Sequence, residues 1–114
     1  MKNLLPLLAA ASLALVPGPA VAEAGNFTLV NQTGLSMTSL TIRRTGTEAW
    51  RPLGTAPRPG GRGPVQFSDP DCAFDIQATL QGAGTVVWNG VNLCEAKVVI
   101  LNRNASGAIW VDYE

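Results

Sequence analysis

The residues of this chain that could do chemistry are few, and most of them are carboxylates. Histidine is absent from all 114 positions. That removes the commonest general base, the usual partner of a Ser or Cys nucleophile and the commonest zinc ligand. Among the acidic side chains, Asp69, Asp71 and Asp75 cluster most closely. Such a group could ligate calcium or work as an acid/base pair. Its spacing fits no twelve-residue calcium loop, and Pro70 and Cys72 point instead to a turn at the start of a strand. The expectation is turn and surface carboxylates, with no catalytic residue, no cofactor and only a weak calcium candidate at those three positions. Asp75 stands apart. On the polar face of the following strand, it is placed to pair with an arginine from the Arg43 to Arg62 region. No glycine-rich loop precedes a helix, and Gly82-Ala83-Gly84 reads as a turn rather than a phosphate cradle.

Cys72 and Cys94 are the only cysteines. An even count in an oxidising compartment reads as one structural disulfide, and the spacing is far from a redox Cys-x-x-Cys. Oxidation would also remove thiolate catalysis and cysteine-based metal sites. The compartment follows from the start of the chain. Lys2 precedes an apolar run from Leu4 to Val16, broken only by Pro6 and Ser12, and Pro17-Gly18-Pro19 leads into Ala20-Val21-Ala22. This predicts a signal peptide over 1–22, with cleavage after Ala24 as the alternative. The run is shorter than the ~20 residues a spanning helix needs. The expected product is exported, periplasmic or secreted, with one β domain over 23–114 and no integral membrane segment after cleavage.

Basic and acidic residues balance at eight each over the whole chain, and loss of Lys2 would leave seven against eight. Nucleic acid is therefore not an expected partner, because phosphate neutralisation needs a strong positive footprint. Arg43, Arg44, Arg51, Arg58 and Arg62 nevertheless fall close together, just ahead of the three aspartates. They can meet those carboxylates or form an anion-binding patch.

The elements that must position these groups are strands. Cys72, Phe74, Ile76, Ala78 and Leu80 alternate with Ala73, Asp75, Gln77 and Thr79. Gln81-Gly82-Ala83-Gly84 turns the chain into a return strand over Thr85 to Leu93, and a turn centred on Ala83 would set position 72 opposite 94. Trp88 and Val91 lie out of phase on that return, and Asn89-Gly90 between them predicts a bulge. A second phase break near Thr38 predicts a bulge or bend in the strand that ends at Ile42. Phe27 to Val30, Val65 to Phe67, the apolar Lys97 to Asn102 and the final Ala108 to Tyr113 complete the strand pattern. The segment 54–64 holds three prolines and four glycines and reads as a loop. A helix is possible only as one short turn near Thr47 to Leu53. The predicted fold is all-β, a small antiparallel β-sandwich or partly open barrel of six to seven strands with one disulfide. The triplets at Asn26, Asn31 and Asn104 match the glycosylation pattern but sit at strand ends, as turn residues do.

Aromatic residues divide by position. Phe74 and Trp88 are expected in the core beside the disulfide. Trp50 and Arg51, with Arg58 and Arg62 of the Pro/Gly loop, would join an apolar ring to cationic donors. Trp110, on the face of the last strand that carries Asp112, is the other candidate platform for a sugar ring or a protein partner.

The motifs Phe27-x-Leu-x-Asn-x-Thr-Gly34, Leu40-x-Ile42, Gly46-x-x-x-Trp50, Cys72-x-Phe-Asp-Ile76 and Trp88-x-x-x-x-Leu93-Cys94 together span most of the domain. On these motifs the chain resembles a group of small exported bacterial proteins of unassigned function. Asn92 stands where that group often carries an acidic residue. The resemblance implies a bacterial envelope or secreted location and a β fold, and no activity. The functional expectation is a non-enzymatic binding or interaction module for an unknown protein or carbohydrate partner. The alternative is an assembly component that pairs through an edge strand, and a calcium-assisted hydrolase is the weakest reading.

Overall fold

Alternation is plainest between Ala73 and Leu80, where Phe74, Ile76, Ala78 and Leu80 are buried. A strand that buries one face so completely must pack against a second layer. The computed structural model describes residues 22–114, so the expected leader lies almost wholly outside the described residues. Eight strands follow in order: β1 (Phe27–Gln32), β2 (Met37–Arg44), β3 (Arg51–Pro52), β4 (Arg62–Val65), β5 (Ala73–Leu80), β6 (Gly84–Asn92), β7 (Val98–Arg103) and β8 (Ile109–Tyr113). They form two four-stranded sheets, ordered β4-β1-β7-β8 and β3-β2-β5-β6. The chain is an all-β, sandwich-like fold with one disulfide.

Strand count exceeds the expected six to seven because two short strands carry proline. Pro52 lies in β3 and Pro64 in β4, and both strands are sheet edges, the position where a residue without an N–H is tolerated. β3 lies in the segment near Thr47 to Leu53, the one place where the sequence left room for a helical turn, and the loop expected over 54–64 gives its last residues to β4. One pairing also departs from the antiparallel expectation. β1 and β7 run parallel, with Leu29 beside Val99 and Asn31 beside Leu101. The alternation within either strand is the same for both directions, so only the assembled sheet decides between them.

Both predicted phase breaks are bulges. The β2–β5 register shifts between Thr38 and Thr41, where Ser39 adopts φ 50°. The β5–β6 register shifts between Phe74 and Ile76, opposite Asn89-Gly90, with Gly90 at φ 66°. The left-handed region suits a glycine at such a bulge. The hairpin is centred on Gly82 rather than Ala83, since Leu80 faces Gly84 and Ile76 faces Trp88. Beyond the bulge the Leu93 N–H donates to the Cys72 carbonyl at 2.9 Å, and Cys94 closes the disulfide with Cys72 across 22 positions. A loop of that length confers about 3 kcal/mol on the chain-entropy model.

The core between the sheets holds Phe27, Leu29, Ile42, Phe74, Ile76, Leu80, Trp88, Val91, Leu93, Val99 and Leu101. Phe67 packs edge-on against both Phe27 and Phe74, with ring centroids 6.2 and 5.1 Å apart. The Trp88 indole N–H donates to the Asn102 carbonyl at 3.1 Å and ties β6 to the opposite sheet. Asn31 is fully buried. Its amide donates to the carbonyls of Leu35 and Pro57, and its oxygen accepts from the Thr33 amide and hydroxyl. One side chain therefore closes the first turn and anchors the Pro/Gly loop.

Candidate functional site

β2 carries Arg43 and Arg44 to opposite faces of its sheet, and each meets a carboxylate. On the outer face Arg43 Nε donates to Asp75 Oδ2 at 2.9 Å. Asp75 Oδ1 accepts from the Thr45 hydroxyl at 2.8 Å and from the Gly90 amide, inside the β6 bulge, at 3.0 Å. Burial opposes ionisation of Asp75, but the Gly90 and Thr45 donors and Arg43 outweigh it and hold its pKa below the ordinary carboxylate value. The pairing of Asp75 with an arginine of this region is as the sequence predicts. Arg43 also lies over the half-buried Trp50 ring, 4.4 Å from its centroid, and reaches Glu48 at 3.2 Å.

On the other side, Arg44 and Arg51 converge on Asp69, with contacts of 2.9 and 3.1 Å. Arg44 extends to Asp71 at 3.2 Å, and Arg51 lies over Phe67 at 5.1 Å. Asp69 is buried because its backbone pairs with Ala24 in an isolated bridge. Burial works to raise its pKa, while the Asp71 amide and the two arginines lower it by more. A shallow pocket of about 330 Å³ opens here, lined by Arg44, Thr47, Ala49, Arg51 and Asp69. Both carboxylate sites hold ionised acids with their oxygens already committed. Such acids have no proton to give, and their arginines make them poor bases. Asp69 and Asp71 share Arg44, whereas Asp75 belongs to the separate network, and no group of three metal-ligating side chains occurs among the described residues.

The expected grouping of Trp50, Arg51, Arg58 and Arg62 is distributed over three places. Trp50 belongs to the Arg43 face, and Arg51 to the Asp69 network on the opposite side of β3. Arg58 lies in the anchored loop, and Arg62 is exposed on β4 of the other sheet. Trp110 is 44% exposed, and Tyr113, which sequence reasoning passed over, is 45% exposed. They are the exposed large hydrophobic side chains among the described residues, and both lie on edge strand β8. The position of Tyr113 on the same alternation as Ile109 and Val111 was the available signal.

β8 and β6, the edges of the two sheets, run past each other on one side of the sandwich. Between them Val87, Trp88, Asn89, Ile109, Trp110, Val111 and Tyr113 line a cleft of about 390 Å³. Val86, Ile109 and Val111 pack on the core yet remain partly exposed at this seam, whereas Leu53 and Val65 are fully buried beside the other edge. Edge protection follows the same asymmetry. β3 carries Arg51 and Pro52, β4 carries Arg62 and Pro64, and β8 carries Asp112, but β6 runs nine residues without a charge or a proline. Its far end is reached from β8, where the Tyr113 hydroxyl accepts from the Asn92 amide at 3.1 Å.

The architecture defines a disulfide-stapled β-sandwich with arginine-neutralised carboxylates and one open seam. No protein-family model and no curated protein matches the sequence. The backbone is similar to that of a protein from Eubacterium rectale solved by NMR, with a TM-score of 0.55 and 16% identity, over 85% of this chain and 94% of that one. At that identity the likeness is one of fold alone.

Proposed function

We propose that this chain is an exported, non-enzymatic binding module whose ligand occupies the β6–β8 seam. The observation that carries the reading is the contrast between its polar and apolar groups. Both buried carboxylates are locked in arginine networks, while Trp110 and Tyr113 face solvent across a cleft bordered by an uncharged edge strand. An extended peptide segment fits that border, because strand addition uses free backbone groups for affinity and alternating side chains for specificity. The added side chains would cover Val86, Ile109 and Val111. Export is supported by the disulfide, which persists in oxidising compartments, and by the leader-like start of the sequence.

The test pans phage-displayed random peptides on the purified protein, with a glycan array in parallel. Enriched peptides should lose binding when Val87→Lys places a charge on the β6 edge, and should weaken with Trp110→Ala. A glycan that binds the wild type, tolerates Val87→Lys and fails with Trp110→Ala would make the ligand a sugar stacked on the indole. If neither probe binds the wild type better than the Val87→Lys/Trp110→Ala double variant, the seam is not the binding site and the reading falls.

A further inference from the structure

The charges of this chain nearly cancel in number but not in place. β1 and β7 run parallel and reach one end of the sandwich together, with Gln32 beside Asn102. Antiparallel pairing brings Arg62, at the start of β4, and Ile109, at the start of β8, to that same end. The second sheet meets them there, because residues 33–36 link β1 to β2 and the Gln81 amide donates to the Ser36 carbonyl at 2.9 Å. The connections gathered at this end, 33–36, 53–61, 81–83 and 104–108, contain no Asp or Glu. Arg58, Arg62 and Arg103 lie in them or at their borders, and none of the three makes an ion pair among the described residues. Of the eight acidic residues, Asp112 lies along β8 and the other seven lie toward the opposite end, against Arg43, Arg44, Arg51 and Lys97. Three arginines are therefore uncompensated at one end, and three carboxylates at the other.

The arginine end is also shaped. Buried Asn31 holds the 53–61 connection through its Nδ2, which donates to the Pro57 carbonyl at 3.1 Å, and through its backbone, paired with Gly60 at 2.8 Å and Gly61 at 3.0 Å. The Gly61 amide closes a turn on the Arg58 carbonyl at 2.7 Å. A Cβ at Gly61 would lie 3.1 Å from that oxygen, so the close approach favours glycine there. Residues 55–64 surround a concavity of about 750 Å³, with Arg58 and Arg62 in its lining and neither a carboxylate nor an aromatic ring. Arg103 lies two strands away from Arg62 and three residues further along, roughly 14 Å between backbones.

We infer that this end binds an anionic polysaccharide, whose repeated carboxylate or sulfate groups pair with Arg58 and Arg62 in the concavity and with Arg103 beyond it. One small anion cannot span that distance. A nucleic acid strand would need rings on which its bases could stack, and none lines the concavity. A lipid surface would need apolar side chains to insert. The exposed large hydrophobics among the described residues, Trp110 and Tyr113, lie on β8 rather than in these connections. The carboxylate surplus at the opposite end repels the polymer and so orients the molecule with its arginine end toward it. This site is separate from the β6–β8 seam, and neither requires the other.

Biolayer interferometry over immobilised alginate and dextran sulfate, with neutral dextran as the reference, tests this on the purified protein. Both anionic polymers should bind at about 20 mM salt, and the logarithm of the affinity should fall with that of salt at a slope of about −2, roughly 0.7 for each arginine. Arg58→Gln, Arg62→Gln and Arg103→Gln should each weaken binding about three- to tenfold, and the triple variant should abolish it. Arg103→Lys, which keeps the charge on a half-buried stem, should stay within about threefold of wild type. Lys97→Gln, at the other end, and Trp110→Ala, in the seam, should change nothing. Equal binding to neutral dextran, or no binding to either anionic polymer at about 20 mM salt, overturns the proposal. So does a loss with Lys97→Gln equal to that with Arg58→Gln, or binding abolished by Trp110→Ala, which would belong to the seam. Tighter binding to phosphatidylglycerol vesicles or to single-stranded oligothymidine, with the same arginine dependence, would make the partner a lipid surface or a nucleic acid and would equally overturn it.

Discussion

Asp75→Asn isolates the charge that holds the outer network together, because the amide keeps the shape of the carboxylate. The Asn oxygen can occupy the Oδ1 position and still accept from Thr45 and Gly90. Its NH₂ must then face Arg43 Nε, a donor against a donor, where the carboxylate accepted at 2.9 Å. One charge-assisted bond is lost, about 1.5–3 kcal/mol, and two others drop to neutral strength, about 0.5–1 kcal/mol each. Burying an amide costs less than burying a carboxylate, which offsets part of this. The net expectation is a loss of about 2–3 kcal/mol at pH 7, or roughly 10–20 °C in Tm for a domain of this size. Urea unfolding followed by tryptophan fluorescence, with the disulfide intact, measures it. The pH dependence gives a second check. Asp75 has a folded pKa below the ordinary carboxylate value. Its contribution is therefore fully present above the unfolded pKa and disappears as pH falls through the folded value. The gap between wild type and Asp75→Asn should be constant above about pH 5 and close progressively below about pH 3, where protonated Asp75 resembles the amide. A gap under about 1 kcal/mol at pH 7, or one that persists unchanged to pH 2, would refute the reasoning.

Two further substitutions test the lattice around that network. Trp50→Ala removes a half-buried ring stacked under Arg43 and should cost about 1–2 kcal/mol, well below the ~3 kcal/mol or more for a core tryptophan such as Trp88. A loss equal to that of Trp88→Ala in the same urea titration would make Trp50 a core residue. Ser39→Gly relieves a left-handed backbone (φ 50°) at an exposed bulge and should stabilise the fold by about 0.5–1 kcal/mol. A lower Tm for the glycine variant would show that the serine side chain, not the backbone, holds the bulge.

What could be read ahead of the structure follows a physical division. Local alternation is a property of the chain itself, so β5, the apolar β7 and the two phase breaks were legible from residue types alone. The Arg43–Asp75 pair was legible for the same reason, since a buried-face strand must present Asp75 on its other side. Direction and neighbourhood are not local. The parallel β1–β7 pair and the burial of Asp69 depend on segments far apart in sequence, Ala24 meeting Asp69 in the second case. The split of Trp50 from Arg51 is the instructive failure. Adjacent residues suggested one composite surface, but the two side chains part where the chain enters β3: Trp50 lies under Arg43, whereas Arg51 reaches Asp69. Pro52 is tolerated in β3 because β3 is an edge.

The same edge logic connects stability to binding. A sandwich has four edges, and here each charged or proline-bearing one is blunted where it stands: β3 by Arg51 and Pro52, β4 by Arg62 and Pro64, β8 by Asp112. The arginine networks that hold β2, β5 and the Asp69 turn lie toward the β3 side, fully spent on internal carboxylates. β6 joins these networks only through its bulge, where the Gly90 amide donates to Asp75, and its seam leaves Val86, Ile109, Val111 and Tyr113 partly in water. Leaving that surface uncovered sacrifices some burial free energy, roughly 25 cal/mol for each Å² of apolar area. A fold that seals one side with charge and proline while leaving the β6 edge of the other uncharged separates the groups that stabilise it from the groups that can still form contacts. On the proposed reading, ligand binding at the seam would recover the missing burial without disturbing Asp69 or Arg51, so that the seam could be filled at no cost to the arginine-rich side.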